Sequence, residues 1–338
     1  MTQNGVWVGP DVEQPGSDVR FPPIENGLDY LRSVVGHLVK KSGEKVSARD
    51  LKYAVLHLQA AVEVLLKARL QQEHWSLVFR NPGVAVRSRF ESGDFESCGT
   101  SEAIDRLRDI VGVHLKDKDV KVLNGLAKTR NALQHYGLAA SGPATEAQAA
   151  AVLDFLKVFL DEQLLGTFDA AELVRIDKQY MDHIRIGLAD VKSFVAKRMK
   201  RLRSELDEYS PRVVVCSTCC LFALLVDGDA NRCHFCGIDW LEDAAAQVAS
   251  LQGGFVAPQI CPGCESEALV RDVITAYDPS SPVDLCFNCS EEFEGLVECR
   301  QCPRLFQPNN RGEDVCDACG QEDDYEMRNY YARLVAEE

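Results

Sequence analysis

The sequence predicts a mainly α protein: a helical bundle, a long linker helix, then three small β-rich ribbons. Three observations carry this. From Ile24 to about residue 210, apolar side chains recur every three or four positions, the period of helices with one buried face. After residue 210 come six Cys-x-x-Cys pairs: Cys216/Cys219, Cys233/Cys236, Cys261/Cys264, Cys286/Cys289, Cys299/Cys302 and Cys316/Cys319. Charge divides at the same place. Residues 1–210 hold 29 Lys+Arg and 29 Asp+Glu, whereas residues 211–338 hold 8 Arg, no Lys and 23 Asp+Glu and carry the whole −15.

Residues 1–23, with Gly5, Gly9, Pro10, Pro15, Gly16, Pro22 and Pro23, read as a disordered tail. Residues 24–168 read as the bundle. A first helix near Leu28–Lys40 places Leu28, Leu31, Val35 and Leu38 on one face. Ser47 N-caps a long second helix ending near His74. Residues 76–99, with Pro82, Gly83, Gly93 and Gly99, read as irregular. A third helix follows Thr100 or Ser101, a fourth runs from Asp117 to Gly137, and a fifth covers Glu146–Leu165 with Thr145 as N-cap. Short connections between amphipathic helices predict antiparallel packing.

Residues 169–210 read as one unbroken amphipathic helix, with an apolar stripe about 50 Å long. Its apolar stripe runs from Leu173 through Ile184 and Val195 to Leu206, and serves either a coiled-coil dimer or packing on the bundle. Its last turns are basic: Lys192, Lys197, Arg198, Lys200, Arg201 and Arg203. These form a solvated face, contact RNA, or lie against the acidic ribbons.

The cysteine pairs, taken in order, make three four-cysteine clusters with 13, 21 and 13 residues between their halves. Two pairs joined by such a loop let a short segment wrap one tetrahedral zinc ion. Sequential pairing gives ribbons at 211–240, 241–290 (with a short helix over Trp240–Leu251) and 291–338, the last ending in an acidic terminal helix. Interleaved pairing would also give three sites. Disulfides require an oxidising compartment. Ferredoxin-like spacing is absent. A redox Cys-x-x-Cys occurs once beside a strand–helix unit, not six times. The expectation is three structural zinc ions and no catalytic metal. Cys98 and Cys220 are left over, and His234 sits inside a pair as a bystander. With no Lys in it, the ribbon array is a poor clamp for phosphate backbones and reads as structural or as a protein-docking surface. No secretory signal is apparent, and the longest apolar run, Cys219–Val226, is too short for a bilayer. The expectation is a soluble, cytoplasmic protein.

Chemistry is suggested by Arg130-Asn131-Ala132-Leu133-Gln134-His135, at the end of the fourth helix and closed by Gly137. Arg32/His37 and Arg69/His74 share the bare spacing, so spacing alone is weak. Context singles out the third. It follows the long helix containing Ala61-Val62-Glu63-Val64-Leu65-Leu66-Lys67-Ala68 and precedes one more amphipathic helix. The bland reading makes Arg130 a solvated helix residue and His135 a cation favoured by a helix C-terminus; Glu63 reads as solvated.

This arrangement, over residues 45–168, resembles the HEPN superfamily: small helical bundles found in toxins and prokaryotic antiviral RNases. The resemblance implies metal-independent RNA cleavage in a homodimer, with the two motifs facing each other across a cleft. Arg130, Asn131 and His135 would then be the catalytic residues. The ribbons would regulate it or dock it to a protein partner; the alternative is a non-catalytic dimeric adaptor whose acidic ribbons bind a protein partner.

Overall fold

The computed structural model describes residues 21–40, 44–137, 140–240, 244–251, 257–309 and 312–321, with Tyr325 and Met327. Most of the expected tail (residues 1–20) and nearly all of the expected terminal helix lie outside the described residues.

Helix α1 (Pro23–Leu38) packs along α2 (Ala48–Glu73). Leu28, Leu31, Val34, Val35 and Leu38 meet Val55, Leu58, Val62 and Leu65 in the main core. Gly27 allows the approach: a Cβ there would lie 2.5 Å from Leu65 Cδ2. Ser47 caps α2 as its sequence position predicts, its Oγ accepting from the Asp50 N–H at 3.1 Å. The Asp50 carboxylate in turn accepts from Ser47 and pairs with Lys40 and His37. Together these hold it far below the usual carboxylate range.

Residues 75–99 contain short turns and one small helix, α3 (Arg87–Ser92). Helix α4 (Thr100–Arg106) starts from Gly99, not from Thr100 or Ser101: the Glu102 carboxylate turns back to accept the Gly99 N–H at 2.8 Å. Helix α5 spans Asp117–His135, and Gly137 leaves it at φ +77°. Helix α6 (Gly142–Phe159) begins earlier than expected. Pro143 starts its first turn, and Thr145 bonds back to the Ser141 carbonyl from inside the helix instead of capping it.

The single helix expected over 169–210 is three helices: α7 (Ala170–Ile176), α8 (Asp182–Asp190) and α9 (Lys192–Glu208). A π-helical turn over Asp177–Met181 joins the first two. Val191 separates the last two, with extended backbone at φ −84°, ψ 95°. The break lets α8 lie on α1 while α9 turns to lie on α6. Ile176, Met181, Ile184, Leu188, Phe194, Leu202 and Leu206 are thereby buried within one chain, so no apolar seam is left for a coiled coil.

Among the described residues the ribbon half holds three antiparallel sheets. The first comprises β1 (Val213–Val215), β2 (Phe222–Leu225) and β3 (Arg232–Cys233). Helix α10 (Ala244–Leu251) follows; Trp240, its expected start, is not helical and instead donates its N–H to the Asn231 carbonyl at 2.8 Å, and residues 241–243 lie outside the described residues. The second sheet comprises β4 (Gln259–Ile260), β5 (Glu267–Val273), β6 (Val283–Cys286) and β7 (Glu292–Phe293). Its last strand passes the expected boundary at residue 290, because the chain folds back after Cys286–Cys289 to pair with β6. The third is the pair β8 (Val297–Glu298) and β9 (Leu305–Phe306).

The first two ribbons are not beads on a string. Val214 bridges Thr275, the Ala276 N–H donates to the Val213 carbonyl at 2.7 Å, and Asn231 donates to the Phe287 carbonyl at 3.0 Å. One apolar core runs from Leu28 through the first ribbon to Phe287. Leu296 and Leu305 sit apart, in a small cluster with Cys261, Leu269 and Cys286. Among the described residues no helix is long and apolar enough to cross a membrane.

Candidate functional site

The twelve paired cysteines gather into three groups, in the sequential order and not the interleaved one: Cys216/Cys219/Cys233/Cys236, Cys261/Cys264/Cys286/Cys289 and Cys299/Cys302/Cys316/Cys319. Four sulfurs each about 2.3 Å from a tetrahedral zinc are separated by about 3.8 Å. The Sγ–Sγ distances are 3.8 Å for Cys216–Cys236, 3.7 Å for Cys219–Cys233, 3.8 Å for Cys261–Cys289, and 3.7 Å for Cys264–Cys286 and Cys302–Cys316. A disulfide would need about 2.05 Å. The three donor sets are therefore compatible with three zinc ions.

Each group is built from a repeated turn. The N–H of the residue after the second cysteine donates to the carbonyl of the first: Cys220 to Cys216, Gly237 to Cys233, Glu265 to Cys261, Ser290 to Cys286 and Gly320 to Cys316, all at 2.7–2.9 Å. Four of these five residues take positive φ, yet only Gly237 is a glycine; Cys220, Glu265 and Ser290 are not the residue type that marks such a turn in sequence. Backbone N–H groups also point at sulfur, from Gly263 to Cys261, Asn288 to Cys286 and Cys316 to Cys299, at 3.3–3.4 Å. At Cys299 such donors, led by the Cys316 N–H, bring the thiol down to about 6, towards the thiolate a metal needs. Cys220 is exposed and outside the first group. Cys98 is buried in the helical core, where burial pushes its thiol up.

The first group is bolted to the bundle. Arg198 of α9, 5% exposed, donates to the carbonyls of Phe235 at 2.8 Å and His234 at 2.7 Å, both within the second turn of that group. Asp154 of α6 pairs with Arg198 and Arg201, each at 3.1 Å. Phe194 meets Phe235 edge to face, and His234 pairs with Glu205 at 2.7 Å. Lys157, also buried, lies under Gly237 and pairs with Asp161. A Cβ at Gly237 would meet Lys157 Nζ, and its φ of +77° disfavours a side chain in any case. The basic middle turns of α9 thus do face the first ribbon, but Arg198 grips its backbone carbonyls, not its carboxylates. Sequence reasoning missed Asp154 and Lys157; the charged pair Lys157/Asp161 inside an apolar helix was the available signal.

At the other candidate site, Arg130 is half-buried and Asn131 and His135 are exposed near the end of α5. The Arg130 guanidinium lies 4.0 Å from Glu63 of α2 and donates to Gln134 at 3.3 Å. Glu63 also pairs with Lys67 at 2.6 Å, and Lys67 donates to Ser97. Glu63, read from sequence as solvated, is paired with Lys67 and lies within ion-pair range of Arg130. A five-residue step rotates about 140° around a helix. Arg130 therefore turns toward α2, whereas His135 shares the solvent face with Asn131. The described residues of one chain do not bring guanidinium and imidazole into contact.

The two look-alike pairs are engaged locally. His37 pairs with Asp50 and Arg32 lies near Asp29; Arg69 pairs with Glu73, and His74 hydrogen-bonds Ser76. His135 makes only a ring contact with Tyr136, centroids 6.0 Å apart, and no hydrogen bond to a described residue. No family model, curated protein or solved structure matches this chain.

Proposed function

We propose that the chain is a metal-independent endoribonuclease of HEPN type, acting in toxin or antiviral defence, whose three ribbons each hold a structural zinc ion. The observation that supports it best is the state of the third Arg–His pair. Its imidazole is exposed and unengaged beside Asn131, while the other two pairs are tied up in caps and ion pairs.

In this reading a homodimer completes the site, since one chain turns Arg130 and His135 to different sides of α5. The ribose 2′-hydroxyl loses its proton to a base as its oxygen bonds to the adjacent phosphorus. The P–O5′ bond breaks, and an acid returns a proton to the 5′-oxygen. An imidazole can accept a proton at one ring nitrogen and give one up, which suits either transfer. His135 of one chain is the base or acid, and the same residue of the second copy supplies the other role. Arg130, released from Glu63, pairs with phosphate oxygens and stabilises the charge that develops there. Asn131 orients the phosphate or the imidazole. The products are a 2′,3′-cyclic phosphate and a 5′-hydroxyl.

The test is incubation of purified chain with labelled RNA, against His135→Ala and Arg130→Ala. Cleavage that dies with either substitution and yields cyclic phosphate ends is the expected result. Cleavage that persists in both variants removes the proposal. The second reading, a non-catalytic dimeric adaptor, draws on the existing engagement of Arg130 by Glu63 and Gln134 and on the acidity of residues 211–338. It predicts no cleavage of any RNA pool, and capture of a partner that is lost when the ribbon carboxylates are neutralised.

A further inference from the structure

Helix α8 lies on α1, with Gly187 backed so closely against Val35 that a Cβ there would run into the valine. Beside this crossing the two helices leave a cavity of about 880 Å³. Ligand pockets span about 300–1,000 Å³. Along α1 the lining runs from Arg32 to Lys40, a rise of about 12 Å.

Two features separate this cavity from an ordinary furrow between helices. The first is apolar surface left open to water. Ile186, from α8, is 53% exposed, and Val39, from α1, is only partly buried. Gly36 also lines the cavity, in the last turn of α1. Glycine is unfavourable within a helix, and no close neighbour demands it here: a Cβ at Gly36 would meet nothing within 4 Å. Its missing side chain leaves room in the cavity.

The second is a lightly held cation at one end. Other polar groups of the lining have close partners. Lys40 and His37 pair with Asp50 at 2.9 and 3.3 Å, and Ser33 hydrogen-bonds His57 at 2.8 Å. Among the described residues Arg32 has only Asp29, at 3.9 Å. His183, from α8, is held below its ordinary value by burial first and then by the Arg32 charge, and no carboxylate offsets that push. Asp190, the acid that α8 adds to the lining, lies seven residues further on, about 10 Å along the helix.

We propose that this cavity binds a small amphipathic organic anion, its acidic head between Arg32 and His183 and its aliphatic body over Val39, Ile186 and the bare backbone of Gly36. Carboxylate or phosphate oxygens match the two-pronged guanidinium, and the incoming anion gives Arg32 a close partner in place of a distant one. The ligand ties α8 to α1 just before the corner at Val191, where α9 turns away toward the first ribbon. The Arg130–His135 motif takes no part in the lining, so the site stands or falls apart from the nuclease reading.

Isothermal titration of the full chain tests it, with octanoate and octyl phosphate as probes. The tighter binder of the two identifies the head. Shortening its chain stepwise is expected to cost about fourfold in affinity per CH₂. Octylamine, with the same tail and a cationic head, is expected not to bind. Arg32→Gln is expected to weaken the tighter probe on the order of tenfold. Gly36→Leu fills the cavity and is expected to abolish binding, while leucine's better helix propensity keeps α1 intact. Lys197→Ala, at an exposed lysine on α9, is expected to change nothing. Circular dichroism confirms that each variant is folded. The site is overturned if neither probe binds saturably, if octylamine binds as tightly, if affinity ignores chain length, or if folded Arg32→Gln or Gly36→Leu binds like its parent.

Discussion

The first and third ribbons have the same cysteine spacing and differ in what surrounds them. Both place 13 residues between two Cys-x-x-Cys pairs. In the first, all four cysteines are buried, and its strands join the core that starts at α1. In the third, two of the four are partly exposed, and the buried leucines of its segment, Leu296 and Leu305, belong to a satellite cluster with Cys261, Leu269 and Cys286. The lesson is that one motif can be a peripheral clip or a part of the core. What decides is the set of helix residues waiting for it, here Arg198, Asp154, Lys157 and Phe194.

The largest effect follows at once. Cys233→Ser leaves a metal site with three thiolates inside the main core. It is expected to abolish cooperative unfolding of the helical half, seen as loss of a sharp calorimetric transition. Next is Arg198→Met. It removes one of the two partners of buried Asp154, leaving Arg201, and takes the Arg198 donor from two knuckle carbonyls, a loss of up to about 3–5 kcal/mol by the usual cost of breaking a buried pair. Denaturant unfolding measures it. A change below about 1 kcal/mol would mean that the first ribbon is only resting on the bundle. Cys316→Ser sharpens the contrast. It is expected to cut bound zinc from three ions per chain to two, by elemental analysis, and to leave the main transition almost where it was.

His135→Ala should be nearly silent in the same unfolding experiment, within about 0.5 kcal/mol, as expected of an exposed side chain. A larger loss would point to a structural role. The smallest effect concerns pH and the bundle alone. Burial first, then neighbouring His37, holds His57 below its ordinary value. Its other near neighbours are Ser33, Tyr30, Tyr53 and Asp29. A lowered folded value means the unfolded chain takes up more protons, so stability present above about pH 6.5 is lost as pH falls. The melting temperature should drop between about pH 7 and pH 5, and less steeply in His57→Gln.

The metal half was the more legible in sequence because its determinants are local and chemical. Cys-x-x-Cys followed by a turn reads the same wherever it stands, and the sequential pairing emerged in all three groups. Helix positions followed from periodicity, and the Ser47 cap from a single hydroxyl. The break at Val191 was not legible. Periodicity continues through it, because Leu188, Val191 and Phe194 are all buried, and nothing local marks a valine as the corner. Only packing on two different partners, α1 and α6, bends the chain there. The seating of the first ribbon was legible only as one option among three, because Arg198 stood in a run of cations that could face solvent, RNA or the ribbons. At the end of α5, sequence gave residue types and spacing, and Glu63 as the neighbour of Arg130 required the packing of α2 on α5.

The most direct measurement removes zinc stepwise from the intact chain with a competing chelator, reading bound metal against far-ultraviolet circular dichroism. The account predicts that the first ion to leave takes almost no helix with it and that the loss of the last collapses the helical signal. A chain stripped of all metal that kept its full helical signal and its sharp unfolding transition would contradict the joining of ribbon and bundle.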